Sequence, residues 1–199
     1  LRATAETSAV GAFRKGALRV PFAGPAMLWT AKKLAGAVVG TTDNVIRGGN
    51  WYGNDTAWRM CLDLNKILLY ANADGTFRAD SRESRKTYLS LCDGVIGGQG
   101  RGPMNPDPAE SRVVVFADNP AACDAFCALV MGFDPDKIPI IRQAFLCKHL
   151  AIAETPWRKI TCISSESAWQ GPLGQIVPKT TLGFAPHFGW KGHIELLER

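Results

Sequence analysis

Polar side chains that could carry chemistry are concentrated in the stretch "DGVIGGQGRGPMNPDP", residues 93–108. Asp93 closes one predicted strand and Asp118 closes the next. If those strands are parallel neighbours, both carboxylates lie at the carboxyl ends of the sheet, where open α/β folds bind ligands. The glycines of the intervening loop, 94–109, allow the backbone to approach a ligand closely. This stretch is therefore the first candidate for a binding site.

The motif spacings exclude three specific sites in this loop. No Lys-Ser or Lys-Thr follows the glycines as a Walker A loop requires, Pro103 stands where a dinucleotide fingerprint needs its last glycine, and the acids of an EF-hand loop are missing. Two hypotheses stay open. Either the loop binds an anion through backbone N–H groups, or it contributes to a site for a hard cation such as Mg²⁺. The anion set is Gln99, Gly100, Arg101 and Gly102, and the cation set is Asp93, Asp118 and Asp124. The structural alternative is a stiff turn, with Asp118 capping a helix.

A second group of candidates surrounds the predicted start of a helix. Asn54, Asp55 and Arg59 lie in "NWYGNDTAWR", and helix N-termini attract anions. These side chains could form the far wall of the same anion site. The alternative is a capping network in which Trp58 fills the core.

Composition limits the remaining functions. The chain has 199 residues, 46% hydrophobic and 21% charged, with a formal net charge of +5, which is typical of a soluble globular protein. The basic excess near the N-terminus lacks a nucleic-acid-binding motif, so nucleic-acid binding is not expected. No apolar run is long enough for a membrane span, and no G-x-S-x-G serine elbow occurs. Because the chain begins with Leu1, a processed or truncated N-terminus is expected.

The six cysteines form no C-x-x-C pair and no ferredoxin-type run. No iron–sulfur cluster is therefore expected in this chain. Small buried thiols in a reducing, cytoplasmic compartment are the main interpretation. A redox pair at Cys123 and Cys127, one helical turn apart, is the alternative.

The order of predicted elements indicates an α/β fold with a mixed or mainly parallel sheet flanked by helices. Helices are predicted over 25–39, within "DTAWRMCLDLNKILLYAN", at "PAACDAFCALVM", and in a short segment at "DPDKIPIIRQAFL". Strands are predicted at "TYLSLC", "SRVVVFAD" and "KITCIS", the second apolar throughout as in a buried strand. The chain divides into a basic N-terminal segment, 1–43, and an α/β domain, 44–199.

"DGVIGGQGRGP" followed by "VVVFADNPAACDAFCALVMGFDPDKIP" resembles the family catalogued as domain of unknown function 362. "GNWYGNDTAWRMCLDLNKILLYA" is similar to the upstream part of one bacterial branch, so the resemblance runs from about residue 44 to the C-terminus. It implies an α/β domain with a shortened N-terminal part, often associated with iron–sulfur proteins. The resemblance implies that the polar residues of the family correspond here to Asp93, Gln99, Asp118 and Asp124. Many members have a glutamate where this chain has Gln99.

These observations favour a domain that binds an anionic small molecule at the carboxyl ends of its strands, alone or together with a divalent cation. The alternative is a non-catalytic accessory module that docks on a redox or iron–sulfur partner protein through its basic face. The sequence does not decide whether the domain is an enzyme.

Overall fold

A computed structural model describes residues 49–103, 105–176 and 180–196, which all belong to one compact unit, Ile46–Arg199. The predicted helix over 25–39 and the predicted division at residue 43 lie outside the described residues. In chain order the main elements are α1 (Ala57–Tyr70), β1 (Ser90–Gln99), β2 (Asp107–Ala117), α2 (Pro120–Met131), α3 (Pro139–Leu146), β3 (Thr161–Cys162) and β4 (Gly171–Pro172). This mixture of helices and strands confirms the α/β class. No helix in the described ranges has the length and apolar character to cross a membrane.

β1 and β2 form an antiparallel hairpin, so the predicted parallel character of the sheet is wrong. Ser90 pairs with Ala117 at one end and Gln99 with Asp107 at the other. Only residues 100–106 separate the strands, whereas a parallel pair needs a crossover of a dozen or more residues. β3 and β4 are antiparallel too.

Most of the predicted binding loop is strand. β1 does not end at Asp93 but continues to Gln99, and β2 already begins at Asp107. The glycines are needed here for packing. A Cβ on Gly97 would come within 2.7 Å of a ring carbon of Phe184, so only glycine fits beneath that ring.

The two faces of this hairpin differ. On the inner face, Val113 and Val115 pack against the hydrophobic core. On the outer face, Leu91, Val114 and Phe116 are 64–72% exposed. The apolar run "VVVFA" predicts a strand covered on both faces, and that prediction is wrong for the outer face.

α2 lies at the centre of the core and has the predicted bounds. The Asn119 side chain accepts a hydrogen bond from the backbone N–H of Ala122 (3.1 Å), which caps the start of α2, and Gly132 ends it with a φ of 97°. One side of α2 packs in a cluster of large apolar residues, and Ala121 at its start packs against α1 and α3. The first cluster includes Phe126, Leu129, Phe133, Ile141, Trp157 and Leu173.

α1 forms as predicted, but it is less buried than its apolar residues suggest. Leu62, Leu69 and Tyr70 are buried. A second apolar stripe, which consists of Met60, Leu64, Ile67 and Leu68, is 48–59% exposed. The apolar residues of α1 cover more than one stripe of the helix, a pattern that predicts a well-buried helix, and the exposure of the second stripe shows that this prediction is wrong.

Candidate functional site

The residues predicted to bind an anion hold the end of the hairpin in place. The Gln99 Oε1 accepts a hydrogen bond from the backbone N–H of Ala185 (2.8 Å), and the N–H of Gly100 donates to the Ala185 carbonyl (3.0 Å). Arg101 forms an ion pair with Asp107 across the turn (2.9 Å). Gln99 and Gly100 therefore connect the turn to Ala185, and the Arg101–Asp107 ion pair joins the two sides of the turn itself. Next to them, Gly102 has open space where a Cβ would stand.

The second predicted group is a capping network at the start of α1. The Asn54 Oδ1 accepts hydrogen bonds from the backbone N–H groups of Thr56 (2.9 Å) and Ala57 (3.2 Å). The Arg59 guanidinium donates to both carboxylate oxygens of Asp55, and this contact lowers the pKa of Asp55. The polar atoms that were predicted to face a ligand thus have partners within the same turn of chain.

The three aspartates predicted to hold a cation are not brought together. Asp93 lies opposite Val114 in the hairpin. At about 3.3 Å per residue, Asp118 lies roughly 13 Å farther along the strand direction, too far for one ion with bonds near 2.1 Å. Desolvation raises the pKa of Asp124 on α2, which disfavours the carboxylate form that a cation needs. Within the described ranges, no group of three or more His, Cys, Asp or Glu side chains could hold a metal ion.

A pocket of about 290 Å³ opens where β2 ends and α2 begins. Among the predicted site residues, Asp118 lines it. The wall is polar and predominantly basic and comes from three parts of the chain. Its residues are Arg82, Arg85, Asp118, Asn119, Ala122, Ala153, Glu154, Thr155, Lys159, Ile160 and Thr161. We call this the α2 pocket.

Hydrogen bonds to one short segment hold the walls of the α2 pocket together. The carbonyl of Ile152 accepts from the Arg85 Nη1 (3.0 Å) and from the Asn119 Nδ2 (2.7 Å). The Tyr70 hydroxyl donates to the neighbouring carbonyl of Ala151 (2.8 Å). Burial raises the pKa of Tyr70, so the hydroxyl keeps its proton and remains a donor. Arg85 and the start of α2 are thereby fixed relative to each other.

The charges on the pocket wall favour an anion. Arg82, Arg85 and Lys159 are basic, Asp118 and Glu154 are acidic, and the positive end of the α2 dipole adds to the basic side. The Arg85 guanidinium already donates one hydrogen bond to the Ile152 carbonyl. Arg82 and Lys159 form no ion pair with another described residue. Their charges are therefore available to a ligand.

A local sequence signal exists for only part of the α2 pocket. The helix start at Asn119-Pro120 was recognisable, but residues 78–86 are a polar connection with no motif. Arg82 and Arg85 become site residues only because the connection folds back over Ile152. Sequence reasoning also misses Lys159, because this residue lies far along the chain from Arg85 and Asn119, in a short turn of 3-10 helix, Trp157–Lys159.

A family model described as "Domain of unknown function (DUF362)" matches residues 28–129, just over half of the chain. The chain belongs to this family. The DUF362 match includes α1, the hairpin and most of α2, and it begins inside the segment assigned above to the N-terminal region. Arg82, Arg85 and Asp118 fall inside the matched range, whereas Lys159 falls outside it. No curated protein and no solved structure matches the chain.

Proposed function

We propose that this DUF362 domain binds an anionic small molecule in the α2 pocket. One observation carries the proposal: Arg82, Arg85 and Lys159 line a single cavity at the positive end of a helix. Convergent cations and helix N–H groups are the usual recognition elements for phosphate and carboxylate groups. The site is at the carboxyl end of β2 but at the amino end of β1, because the strands are antiparallel.

The composition of the pocket restricts the ligand. A guanidinium can hold two oxygens of a phosphate or carboxylate at once, and a lysine supplies a mobile point charge. Asp118 and Glu154 on the same wall repel surplus negative charge, so we expect a ligand with few charges. Of the three predicted cation ligands, only Asp118 could contact a divalent ion that accompanies such a ligand.

Isothermal titration with inorganic phosphate, sulfate and citrate tests the proposal. Replacing Arg82 and Lys159 together by glutamine should weaken binding at least tenfold, because each charge-assisted hydrogen bond contributes about 1.5–3 kcal/mol. Both side chains are exposed, so we expect the melting temperature to change little. The matched control is Arg112→Gln, which removes a cation with a 79% exposed side chain from the outer face of the hairpin.

Equal loss of binding in the Arg112→Gln control would show that only the overall charge matters, and would contradict the proposal. Absence of binding to all three anions by the unmodified protein would contradict it as well. The alternative function, docking on a redox or iron–sulfur partner, relies on basic residues in the first 33 positions. Those residues lie outside the described part of the chain, and the docking function stays a prediction.

A further inference from the structure

Charges of both signs line the α2 pocket without pairing with one another. Arg82, Arg85 and Lys159 are positive, and Asp118 and Glu154 are negative. None of these side chains forms an ion pair with another described residue. The carboxylates of Asp118 and Glu154 also accept no hydrogen bond from the described part of the chain. The fold therefore keeps opposite charges apart on the wall of one small cavity.

The two acidic residues belong to the segments that meet at the Ile152 carbonyl. Asp118 directly precedes Asn119, whose Nδ2 donates to this carbonyl (2.7 Å). Glu154 follows Ile152 by two positions, a span of at most about 7 Å. The Arg85 Nη1 donates to the same carbonyl oxygen (3.0 Å). One hydrogen-bond network thus holds residues of both charges around a single point of the fold.

We infer that the α2 pocket recognises a small zwitterion, which carries a primary ammonium group beside its phosphate or carboxylate group. This inference rests on the proposed anion binding and adds a second subsite to it. The anionic group of the ligand binds Arg82 and Lys159, and its ammonium group binds Asp118 and Glu154.

The hydrogen-bonding types and the volume support a ligand of this class. An ammonium group has three donors and no acceptor, and an ionised carboxylate only accepts, so the two are complementary. A purely anionic ligand leaves both carboxylates of the wall unpaired and is repelled by them. The volume of about 290 Å³ is at the lower end of small-molecule sites, which range over roughly 300–1,000 Å³. The ligand is therefore about as large as an amino acid or an aminoalkyl phosphate.

Isothermal titration with aminoethyl phosphate and with propyl phosphate tests this inference. The two compounds differ only in an ammonium group that replaces a methyl group. A chelator in the buffer keeps divalent ions away from the acidic residues. The wild type should bind aminoethyl phosphate at least tenfold more tightly, because hydrogen bonds between charged groups are the strong ones. The same comparison of alanine with isobutyrate shows whether a carboxylate serves as the anionic group.

Variants show whether the acidic residues cause this preference. Asp118→Asn combined with Glu154→Gln should reduce the ratio of the two affinities to less than about threefold, because the charged acceptors are lost. The affinity for propyl phosphate should stay equal or rise. The matched control is Glu110→Gln, which removes a carboxylate with a 72% exposed side chain from the outer face of the hairpin and should keep the ratio. Thermal melts confirm that each variant is folded.

The outcomes separate this inference from the anion site on which it rests. If propyl phosphate binds and neither amine binds more tightly than its methyl counterpart, the ammonium subsite is absent and the anion site stands. A preference that survives in the double variant would overturn the inference as well. If none of the four compounds binds to the wild type, the anion site itself is absent.

Discussion

The glycine-rich hairpin and the α2 pocket both contain arginine and aspartate side chains, but they use their polar groups in opposite ways. Around the turn of the hairpin, Gln99 and Gly100 bond to Ala185, and Arg101 pairs with Asp107. In the α2 pocket, Arg82 and Lys159 have no ion-pair partner among the described residues. The hairpin therefore uses its polar groups to hold the fold together, whereas the pocket has two cations without an ion-pair partner among the described residues.

This difference shows why residue types alone do not locate a site. Arginine and aspartate side chains occur at both places. The deciding property is whether the chain itself satisfies each polar group, and that depends on segments far away in the sequence. The hydrogen-bond partner of the Gln99 side chain is Ala185, which lies more than eighty positions later in the sequence. The Arg85 side chain is held by the carbonyl of Ile152, which lies 67 positions later.

Gly97→Leu should destabilise the packing of the hairpin and has the largest expected effect on the melting temperature. The new side chain would collide with Phe184, whose ring carbons lie 2.7 and 2.8 Å from the Cβ position. Overpacking of this kind costs about 2 kcal/mol, which lowers the melting temperature by about 4–8 °C. Differential scanning calorimetry measures the shift.

Gly102→Ala is the matched control within the same glycine-rich stretch. A Cβ at Gly102 meets nothing within 4 Å, so the melting temperature should stay close to that of the wild type. Phosphate affinity should be unchanged too. Weaker phosphate binding by a stable Gly102→Ala protein would restore the hairpin turn as the anion site.

Local signals in the sequence predicted the elements better than their arrangement. The bounds of α2 follow from Asn119-Pro120 at its start and Gly132 at its end, and both signals act within one turn of chain. The sequence pattern predicts a loop at 94–109, the glycine-rich part of the hairpin, because glycines lack the strand preference of β-branched residues. What keeps them in a strand is the cross-strand register and the ring of Phe184, neither of which is visible in a local pattern.

The candidate site was predictable only where it coincides with a helix start. Asp118 follows a recognisable strand and precedes the cap of α2, so its position at the end of an element could be inferred. Its partner Asp93 was placed at the same edge on the assumption of parallel strands. In an antiparallel pair the register separates them, and Asp93 instead accepts a hydrogen bond from the N–H of Val95.

Asn54→Ala tests the residues at the start of α1, which were predicted to form the far wall of the anion site. It has the next largest expected effect on the melting temperature. If Asn54 caps α1, its loss should cost about 1 kcal/mol of stability, a fall of about 2–4 °C in melting temperature. Phosphate affinity should not change. Chemical denaturation gives the free energy of unfolding, and a variant with wild-type stability but weaker phosphate binding would make Asn54 a ligand residue.

Asp118→Asn and Asp93→Asn compare the two strand-end aspartates directly, with the smallest expected effect. Asp118 faces the α2 pocket, so removing its charge should relieve repulsion of a bound anion. For charges about 6 Å apart in water this amounts to about 0.7 kcal/mol, or about a threefold gain in phosphate affinity. Asp93→Asn should leave the affinity unchanged, because its carboxylate lies on the exposed side of β1.

Salt and magnesium separate the possible roles of Asp118 in that experiment. At about 1 M salt the screening length falls to about 3 Å, so the gain from Asp118→Asn should disappear if it arises from simple repulsion. Repeating the phosphate titration with Mg²⁺ tests the remaining cation hypothesis. If Asp118 holds a divalent ion beside the anion, its loss should weaken phosphate binding in magnesium instead of strengthening it. A gain that is the same with and without Mg²⁺ at low salt, and that disappears at about 1 M salt, establishes that Asp118 acts on the anion only through its charge.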